Sequence, residues 1–383
     1  MKGSDALRKE FDFLVIGGGI GGISVGYELA AHGRVCVLER EAHLAYHSTG
    51  RSAAVSLEMY GNAVIRSLTR ASRSFYLRPP AEFCGAPLVM PRGALFLAEA
   101  DNQQELRSHF NSVRSLVETV LWLEPRALHE LLPILTPGRW VAGVYEPGAL
   151  DLDVHEIHQA YMRGLRARDG TIFTAAEVVS LARHNQRWEA GTPNGILVAP
   201  VVVNAAGAWA DQLVALAGGR ALGLRALRRT AILIESSADP SRWPYVGDIR
   251  ETFYFKPDAG RLLVSPCDET PMPPCDVTAD AEDIAVAAER MAQATTLSVN
   301  RIVSKWAGLR SFVADRTPVV GPDPQLEGFF WLAAQGGYGI QAAPALAQLC
   351  SALVLAEPVP TELARLGLQP ASLSPARDLP KTP

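Results

Sequence analysis

Cysteine is scarce in this sequence and follows no recognisable pattern. The 383 residues include five cysteines, Cys36, Cys84, Cys267, Cys275 and Cys350, and no two of them form a C-x-x-C pair. Disulfide frameworks use an even number of cysteines, and zinc sites use closely spaced ones. The sequence therefore indicates neither kind of site and predicts no bound metal. It favours a reducing compartment, and we expect a cytoplasmic protein.

An excess of charge of either sign is also missing. The formal net charge is −4, and no block of like charge stands out. Nucleic acids and anionic membranes attract strongly basic surfaces, so neither is expected to be the main partner. Residues 1–13 have no apolar signal segment. Residues 329–356 are uncharged, but GGYG and Pro344 interrupt them, which predicts a strand, a glycine turn and a helix rather than a membrane span.

The hydrophobic content is sufficient for a large packed core. It amounts to 48% of 383 residues, a length above the ~250–300 residues at which single cores stop growing. Strand, small-residue turn and helix follow one another in 11–40, 195–218 and 327–355, a pattern typical of a doubly wound α/β fold. A hairpin pattern at 253–266 and a strand-like run at 91–97 indicate a second, mixed-sheet α+β domain.

These patterns predict two domains that are discontinuous in sequence. The doubly wound, Rossmann-like domain is predicted to comprise residues 8–54, 140–226 and 303–369, and the second domain residues 55–139 and 227–302. The Pro- and Ser-rich residues 370–383 are predicted to form a loose tail.

Three glycines in the sequence GGGIGG match a dinucleotide-binding motif. Gly17, Gly19 and Gly22 follow the apolar run FDFLVI and open a helix, and Glu39 ends the next strand 22 positions after Gly17. In such a βαβ unit the helix amino terminus faces the pyrophosphate, and the carboxylate accepts the ribose hydroxyls. The alternative, a glycine turn in an unrelated α/β protein, does not explain the position of Glu39.

Two further segments favour FAD over NAD, which shares the motif. HSTGRSAA (47–54) offers small side chains and hydroxyls that suit a planar ring, and GGYGI (336–340) opens another helix. The amino terminus of that helix can stabilise negative charge on a reduced flavin. An extended FAD needs further protein contacts at its flavin end, whereas a nicotinamide enzyme needs only the motif and a nearby substrate site. An ordinary tight loop is the alternative for each segment.

One cluster of potential metal ligands has a simpler interpretation. DLDVHEIHQ (151–159) contains aspartates and histidines, but Asp153 followed three residues later by Glu156 is a capping box. The cluster therefore predicts the start of a helix. His47 beside the flavin loop is likewise expected to be a hydrogen-bonding loop residue.

The chain resembles the D-amino acid oxidase-like family of FAD-dependent oxidoreductases, and within it most closely the D-arginine dehydrogenases. The resemblance lies in the order of GGGIGG, LERE, YHSTGRSAA, NAAGAWAD, WAGLRSFVAD and AAQGGYGIQ. It implies an FAD domain with a substrate domain over the flavin. It also implies oxidation of an amino acid, by hydride transfer to flavin N5, to an imino acid that water hydrolyses to a 2-oxo acid and ammonia. The implied electron acceptor is oxygen or a quinone-like molecule.

The resemblance also assigns roles to individual residues. It implies cofactor contacts from Gly17, Gly19, Ile20, Gly22, Glu39, Arg40, Ser48, Thr49, Arg51, Ser52, Ala53, Val178, Ala206, Gly207, Trp209, Gly308, Gly336, Gly337, Tyr338, Gly339 and Ile340. The implied catalytic set is Tyr60, Arg229, Tyr254, Arg310, Gly337 and Gln341. Two guanidinium groups and phenol hydroxyls suit a small carboxylate, because fork-to-fork hydrogen bonds fix its orientation. Related sarcosine oxidases attach flavin through a cysteine near the position of Arg310, so the implied FAD is non-covalent.

Three departures from the D-arginine dehydrogenases concern substrate choice. Val55, Leu57 and Ala94 stand where those enzymes carry histidine, threonine and glutamate. An apolar pocket leaves a substrate guanidinium unpaired, so these residues predict a neutral or apolar D-amino acid instead of a basic one. Glu58 is a further candidate specificity residue, although a solvated loop position is favoured for it.

Two other functions remain open at this stage. The same clamp suits an oxidoreductase of 2-hydroxy acids or N-alkyl amino acids. A flavin-binding subunit of a hetero-oligomeric dehydrogenase is the alternative from another class.

Overall fold

The computed structural model of this protein describes residues 8–83 and 85–379. Cys84 and residues 380–383 of the predicted tail lie outside the described residues. Within the described ranges the strands form four sheets, with six, nine, four and three strands.

The six-stranded sheet is the centre of the first domain. In spatial order its strands are β10 (Thr171–Phe173), β3 (Val35–Leu38), β2 (Phe13–Ile16), β14 (Val201–Asn204), β22 (Phe329–Ala333) and β21 (Val319–Pro322). Neighbouring strands are parallel, except that β21 and β22 are antiparallel. Phe13 and Val15 pack into one apolar core, whereas Leu14 and Ile16 pack into another. Both faces are therefore covered, which explains why the FLVI run is uniformly apolar.

Helices cover one face of this sheet, and a second sheet covers much of the other. The helices are α1 (Ile20–Leu29), α2 (Ala63–Leu77), α5 (Val154–Ala167) and α8 (Gly339–Val354). The other face carries α6 (Ala210–Leu216) and a four-stranded sheet in the order β1 (Arg8–Glu10), β13 (Gly195–Ala199), β12 (Arg187–Thr192) and β11 (Ser180–His184). Leu181, Trp188 and Leu197 join its apolar side to the six-stranded sheet. The predicted Rossmann-like class is confirmed.

A nine-stranded mixed sheet forms the second domain. Its order is β19 (Thr270–Met272), β15 (Arg225–Ile234), β18 (Arg261–Ser265), β17 (Tyr254–Asp258), β16 (Tyr245–Asp248), β6 (Ala94–Ala98), β8 (Ala142–Glu146) and β7 (Leu121–Leu123), and β20 (Ile302–Phe312) pairs with β15. The helices α3 (Gln103–Val113), α4 (Pro125–Leu131) and α7 (Ala281–Ala294) pack on it. This arrangement confirms the predicted mixed-sheet domain.

Smaller elements connect the two large sheets. A three-stranded sheet has the order β4 (Val55–Ser56), β9 (Leu150–Leu152) and β5 (Val89–Pro91). The remaining helix is α9 (Thr361–Arg365), and short 3-10 turns occupy Ala81–Phe83, Gly207–Trp209 and Pro370–Leu373.

The predicted hairpin and the predicted carboxyl-terminal strand and helix are both present. β17 and β18 pair antiparallel, and the two residues between them, Ala259 and Gly260, have φ angles of 46° and 77°. Positive φ at both central residues fits a type I′ turn, whose twist matches that of the flanking strands. β22 and α8 occupy the uncharged segment 329–356. In the described ranges, no helix has the length and apolar character needed to cross a membrane.

Three elements, α2, β8 and β20, pack with the domain other than the one predicted for their residues. α2, which falls within 55–139, packs against α8 because its apolar stripe, with Leu68 and Tyr76, completes the helix-side core of the six-stranded sheet. β8 and β20, predicted in the first domain, instead supply strands to the nine-stranded sheet.

The carboxyl-terminal segment is not a loose tail as far as residue 379. Leu373 is completely buried in the helix-side core. Arg377 makes two hydrogen bonds to the carboxylate of Asp315, at 2.8 and 3.0 Å. One apolar anchor and one bidentate ion pair therefore hold a segment whose composition suggested disorder.

A buried ion triad joins the three-stranded sheet to the nine-stranded sheet. Asp151 on β9 accepts from Lys256 Nζ on β17 and from Arg92 Nε, both at 2.7 Å, and the three side chains are 8 to 11% exposed. We expect Asp151→Ala to lower the free energy of unfolding by about 3–5 kcal/mol, because it leaves two buried cations without a counter-ion. Urea unfolding followed by circular dichroism measures this. Glu130→Ala, which removes an exposed pair with Arg126, is the control, and equal effects of both variants would contradict the prediction.

Candidate active site

The glycine-rich loop lies between β2 and α1, where the backbone approaches β14 closely. Gly17 has a φ of +117°, and a Cβ atom at this position would lie 2.3 Å from the carbonyl oxygen of Ala205. A Cβ at Gly22 would lie 1.7 Å from the carbonyl oxygen of Gly17. Only glycine fits either position, so the loop can bring its backbone against a pyrophosphate while α1 packs closely on β2.

Glu39 follows β3 at the edge of this loop. Its side chain is 9% exposed and accepts hydrogen bonds from the backbone N–H groups of Gly18, at 2.8 Å, and Glu41, at 2.9 Å. These two bonds fix the carboxylate while leaving it in the wall of a cavity. The position suits the ribose contact expected of an acidic residue at the end of the second strand.

The loop 47–54 connects the two domains. Thr49 Oγ1 accepts from the backbone N–H of Ile20 at 3.0 Å, which satisfies one free donor at the start of α1. Ser48 Oγ donates to the carbonyl oxygen of Leu309 at 2.7 Å. Arg51 donates to the carbonyl oxygens of Val277 and Ala307, at 2.8 and 3.1 Å. The loop is therefore anchored to the first domain through Thr49 and to β20 through Ser48 and Arg51.

A continuous cavity runs along these elements in two compartments. The first, about 450 Å³, includes Glu39 and Trp209, and the second, about 190 Å³, includes Arg310. The lining residues that both compartments share are Gly19, Ser48, Thr49, Ala205 and Gly207. An elongated cavity that extends from the Glu39 carboxylate past the loop 47–54 to Arg310 fits an extended FAD molecule and leaves space beyond the loop for a substrate.

Nearly all the predicted cofactor residues lie on this cavity. The lining includes Gly17, Gly19, Ile20, Glu39, Arg40, Ser48, Thr49, Arg51, Ser52, Ala53, Val178, Ala206, Gly207, Trp209, Gly308, Gly336, Gly337, Gly339 and Ile340. Two predicted contacts are not in the lining. Gly22 instead packs α1 on β2, and Tyr338 packs with Ile65, Leu227 and Phe312 beside the cavity.

The two predicted carboxylate-binding arginines share one face of the second domain's sheet. In the β15–β20 ladder, Arg229 lies opposite Gly308 and Leu227 lies opposite Arg310, so the arginines are diagonal neighbours with the same side-chain direction. Arg310 packs over Gly337, where a Cβ atom would lie 2.8 Å from the guanidinium carbon. Both arginines line the second compartment.

The two arginines differ in their partners. Arg229 donates from Nε to the Asp268 carbonyl oxygen at 2.9 Å and from a terminal nitrogen to Glu269 at 3.0 Å. For Arg310, the described residues supply no hydrogen-bond acceptor and no ion-pair partner within 4 Å. Burial lowers the pKa of Arg310, but the nearby phenols of Tyr60 and Tyr254 raise it overall, so the guanidinium stays charged. Arg310 is therefore the cation with free capacity for an anion.

Tyrosines surround this free guanidinium. Tyr254 stacks on Tyr245 with ring centroids 5.3 Å apart, and Tyr60 donates its hydroxyl to Glu251 at 2.8 Å. Burial raises the pKa of Tyr60 and of Tyr254, so both hydroxyls keep their protons at neutral pH. Tyr254 can therefore donate a hydrogen bond to a carboxylate held by Arg310, whereas Tyr60, whose single proton is donated to Glu251, can do so only by giving up that bond.

Sequence reasoning missed several lining residues. Phe96, Tyr245, Glu251 and Cys267 all face the second compartment. Glu251 has a φ of 52°, a left-handed conformation that is uncommon for a residue other than glycine and is often found at functional sites. No local signal in the RETFY sequence indicates this conformation, because it depends on the turn that follows β16.

The candidate specificity residues separate into two groups. Val55 and Leu57 line the second compartment, as expected. Ala94 is fully buried in the same apolar cluster as Val55, but Phe96, two residues further along β6, forms the wall. Glu58 is neither solvated nor in the cavity wall, because its carboxylate lies 3.4 and 3.2 Å from two arginines of α2, Arg70 and Arg73.

Gln341 has a supporting position in the cavity wall. Its carbonyl oxygen accepts from the backbone N–H of Leu57 at 3.3 Å, and its amide donates to Thr69 Oγ1 at 3.0 Å. Both polar groups of the side chain are thus engaged within the protein, and Gln341 connects α8 to the segment that carries Tyr60.

The cluster at 151–159 caps a helix as predicted. Asp153 accepts from the backbone N–H of Glu156 at 2.8 Å at the start of α5, but the Glu156 side chain bonds Arg163 instead of closing the capping box. His158 is buried, and its Nε2 lies 2.9 Å from the carbonyl oxygen of Gly18. Across residues 8–83 and 85–379, no three metal-ligating side chains form a group that could hold a metal ion.

Glu39 provides a direct test of the cofactor site. We expect Glu39→Ala to weaken FAD binding by about tenfold or more, because the variant loses both the ribose acceptor and the carboxylate that orders the Gly18 amide. The dissociation constant is measured by quenching of flavin fluorescence on reconstitution. Glu41→Gln is the matched control, since its carboxylate pairs with His47 and is not itself in the cavity lining. Equal affinities of wild type and Glu39→Ala would contradict this placement of the ribose.

Comparisons with known proteins agree with this geometry. Residues 12–353 match the DAO family, described as FAD dependent oxidoreductase. The chain is 24% identical to dimethylglycine dehydrogenase of Mus musculus over 92% of its own length, and it spans 43% of that protein. It is 25% identical to glycine oxidase of Bacillus licheniformis, with 93% of this chain and 96% of that protein covered.

Solved structures show the same fold. The glycine oxidase of Geobacillus kaustophilus superposes with a TM-score of 0.85 at 22% identity, covering 97% of this chain and 100% of that one. The L-proline dehydrogenase of P. horikoshii gives a TM-score of 0.83 at 21% identity, covering 93% and 96%. Together with the cavity, these findings identify FAD as the cofactor. The chain belongs to the DAO family of FAD-dependent oxidoreductases.

Proposed function

We propose that this protein oxidises a small, neutral amino acid, preferentially a D-amino acid, to an imino acid that water hydrolyses to a 2-oxo acid and ammonia. Bound FAD supplies the hydride acceptor. The observation that carries the proposal is the charged guanidinium of Arg310, which lines the second compartment and lacks an ion-pair partner among the described residues. A charge in this environment requires an anion, and the carboxylate of an amino acid supplies one.

The chain's own residues would hold and orient this substrate. The Arg310 guanidinium binds the carboxylate through parallel hydrogen bonds, the Tyr254 hydroxyl donates a further one, and the Tyr60 hydroxyl can turn from Glu251 to the carboxylate when substrate enters. The rings of Phe96 and Tyr245 exclude water from the side-chain space. Fixing the substrate in this way supplies rate by orientation, and the proposal requires no protein base.

The apolar wall supports the proposed preference for uncharged side chains. Val55, Leu57 and Phe96 offer no acceptor to a cationic group. The carboxylates that line the second compartment are already engaged, because Glu251 accepts the Tyr60 hydroxyl and Asp248 accepts the N–H groups of Thr252 and Phe253. A basic side chain would therefore have to compete with Tyr60 for Glu251 or remain without a partner.

An N-alkyl amino acid is the second candidate substrate. It presents the same carboxylate to Arg310, and its N-alkyl group suits an apolar space. Dimethylglycine dehydrogenase, to which the chain is similar, is named for such a molecule. The electron acceptor, the cytoplasmic location and the non-covalent attachment of FAD remain predictions of the sequence.

Arg310→Met is expected to lower kcat/KM by about two to three orders of magnitude while FAD remains bound, because the substrate carboxylate loses its bidentate partner. Arg229→Met should cause a smaller loss, since Glu269 and the Asp268 carbonyl already engage that guanidinium. Steady-state kinetics with the best substrate measures both effects. Arg310→Lys, which keeps the charge without the fork, should recover part of the loss. Near-normal kinetics in Arg310→Met would move the carboxylate site elsewhere.

Anaerobic bleaching of the flavin absorbance with a panel of amino acids tests substrate choice. We expect small, neutral D-amino acids to bleach the flavin at least roughly a hundredfold more efficiently than D-arginine or D-lysine, because a cation in the apolar compartment is not compensated. Release of ammonia distinguishes primary amino acids from N-alkyl amino acids, which release an amine or an aldehyde. D-arginine as the best substrate would contradict the proposal and would make Glu251 the acceptor of the cation.

A further inference from the structure

The turn that carries Tyr60 is held by side chains instead of by a backbone ladder. After β4 ends at Ser56, the N–H of Leu57 bonds to Gln341. The next two N–H groups, of Glu58 and Met59, bond to the two carboxylate oxygens of Glu146, each at 3.0 Å. Within the turn, the only backbone acceptor seen in the described residues is the Leu57 carbonyl oxygen, which the Tyr60 N–H reaches at 3.3 Å.

We propose that Glu146 is a positioning residue whose carboxylate, by accepting the N–H groups of Glu58 and Met59, sets the place of Tyr60 in the substrate compartment. Glu146 ends β8, opposite Ala94 of β6, and is 1% exposed, so its position is fixed by the nine-stranded sheet. Met59 is fully buried next to it. The carboxylate therefore transmits the position of the sheet to the turn. The inference rests on the proposed function only in giving Tyr60 a contact with substrate.

The protonation state of Glu146 affects this anchor. The pKa of Glu146 is raised to about 7, and burial is the main cause. The two N–H donors and Arg73 act in the opposite direction, whereas the nearby carboxylate of Glu58 also raises the pKa. Arg70 acts indirectly, through its ion pair with Glu58. An ionised carboxylate accepts both N–H bonds. A protonated carboxyl uses one oxygen as a donor and keeps only one good acceptor. The turn should therefore be held more firmly above pH 7 than below it.

A rise in pH strengthens the anchor of the turn but lowers the contribution of Glu146 to the stability of the fold. Because the pKa of Glu146 is raised in the folded protein, its contribution to stability is complete below the unfolded value of about 4.5 and is lost as the pH rises through 7. The ionised form that anchors Tyr60 is therefore the form that costs folding free energy. A residue kept only for stability would have no reason to accept this cost, whereas a positioning residue does.

Hydrogen exchange on the FAD-loaded protein tests the proposal without any substrate. For the peptide 55–61, we expect protection factors of the Glu58 and Met59 amides, corrected for intrinsic rates, to fall about fivefold to tenfold between pH 8.5 and pH 6. In Glu146→Gln, whose amide group keeps one acceptor and adds a donor, protection should be low and independent of pH. Equal protection in Glu146→Gln and wild type, or the same pH dependence in both, would overturn the proposal.

A second variant keeps the test decisive if Glu146→Gln does not fold. Glu58→Gln removes the negative charge that raises the pKa of Glu146 but leaves both N–H bonds in place, so the midpoint of the protection change should move to lower pH. An unchanged midpoint would overturn the proposal.

Binding of acetate, a carboxylate without an amine, links the turn to the compartment. Followed through the flavin absorbance, the dissociation constant should increase about fivefold in wild type between pH 8.5 and pH 6 and should not vary in Glu146→Gln. A dissociation constant that varies equally in both proteins would show that Glu146 does not act through Tyr60. Failure of acetate to bind wild type would instead contradict the carboxylate site of Arg310, and the exchange experiment would then decide the role of Glu146.

Discussion

The antiparallel pairing of β15 with β20 is the constraint on which the site depends. Its register places Arg229 and Arg310 on one face, and β20 presents the carbonyl oxygens of Ala307 and Leu309 to the loop 47–54. An edge strand must satisfy its outward backbone groups, and here the side chains of a cofactor loop do so. The same strand therefore holds both the cation proposed to bind the substrate carboxylate and the loop predicted to face the flavin.

Local patterns were sufficient to predict the dinucleotide-binding βαβ unit. Gly17, Gly22 and Glu39 lie within one βαβ unit, where spacing along the chain determines spacing in the fold. The substrate half depends on contacts between distant segments, such as the 88-residue separation between Glu58 and Glu146. Neither periodicity nor composition reports such contacts. The same reason explains why the tail was misjudged, since the bonds of Arg377 to Asp315 span 62 residues.

The two arginines show why residue type alone does not define a binding site. Both were assigned to the carboxylate by resemblance, and both line the compartment. Glu269, which also pairs with Arg316 at 2.7 Å, occupies a terminal nitrogen of Arg229, whereas the described residues leave Arg310 without a counter-ion. A guanidinium in the cavity wall without a counter-ion can pair with an anionic ligand, so Arg310 is the arginine whose position a ligand explains. Arg229, with its charge largely compensated, instead holds Asp268 and Glu269, which directly follow Cys267 of the compartment wall.

The segment from Leu57 to Tyr60 is held mainly by hydrogen bonds to side chains and not by a backbone ladder. Backbone ladders fix a strand rigidly, because each bond depends on its neighbours, whereas acceptors from Gln341 and Glu146 act one at a time. The polar side chains that hold the segment come from α8 of the first domain and β8 of the second. The position of Tyr60 therefore depends on contacts from both domains.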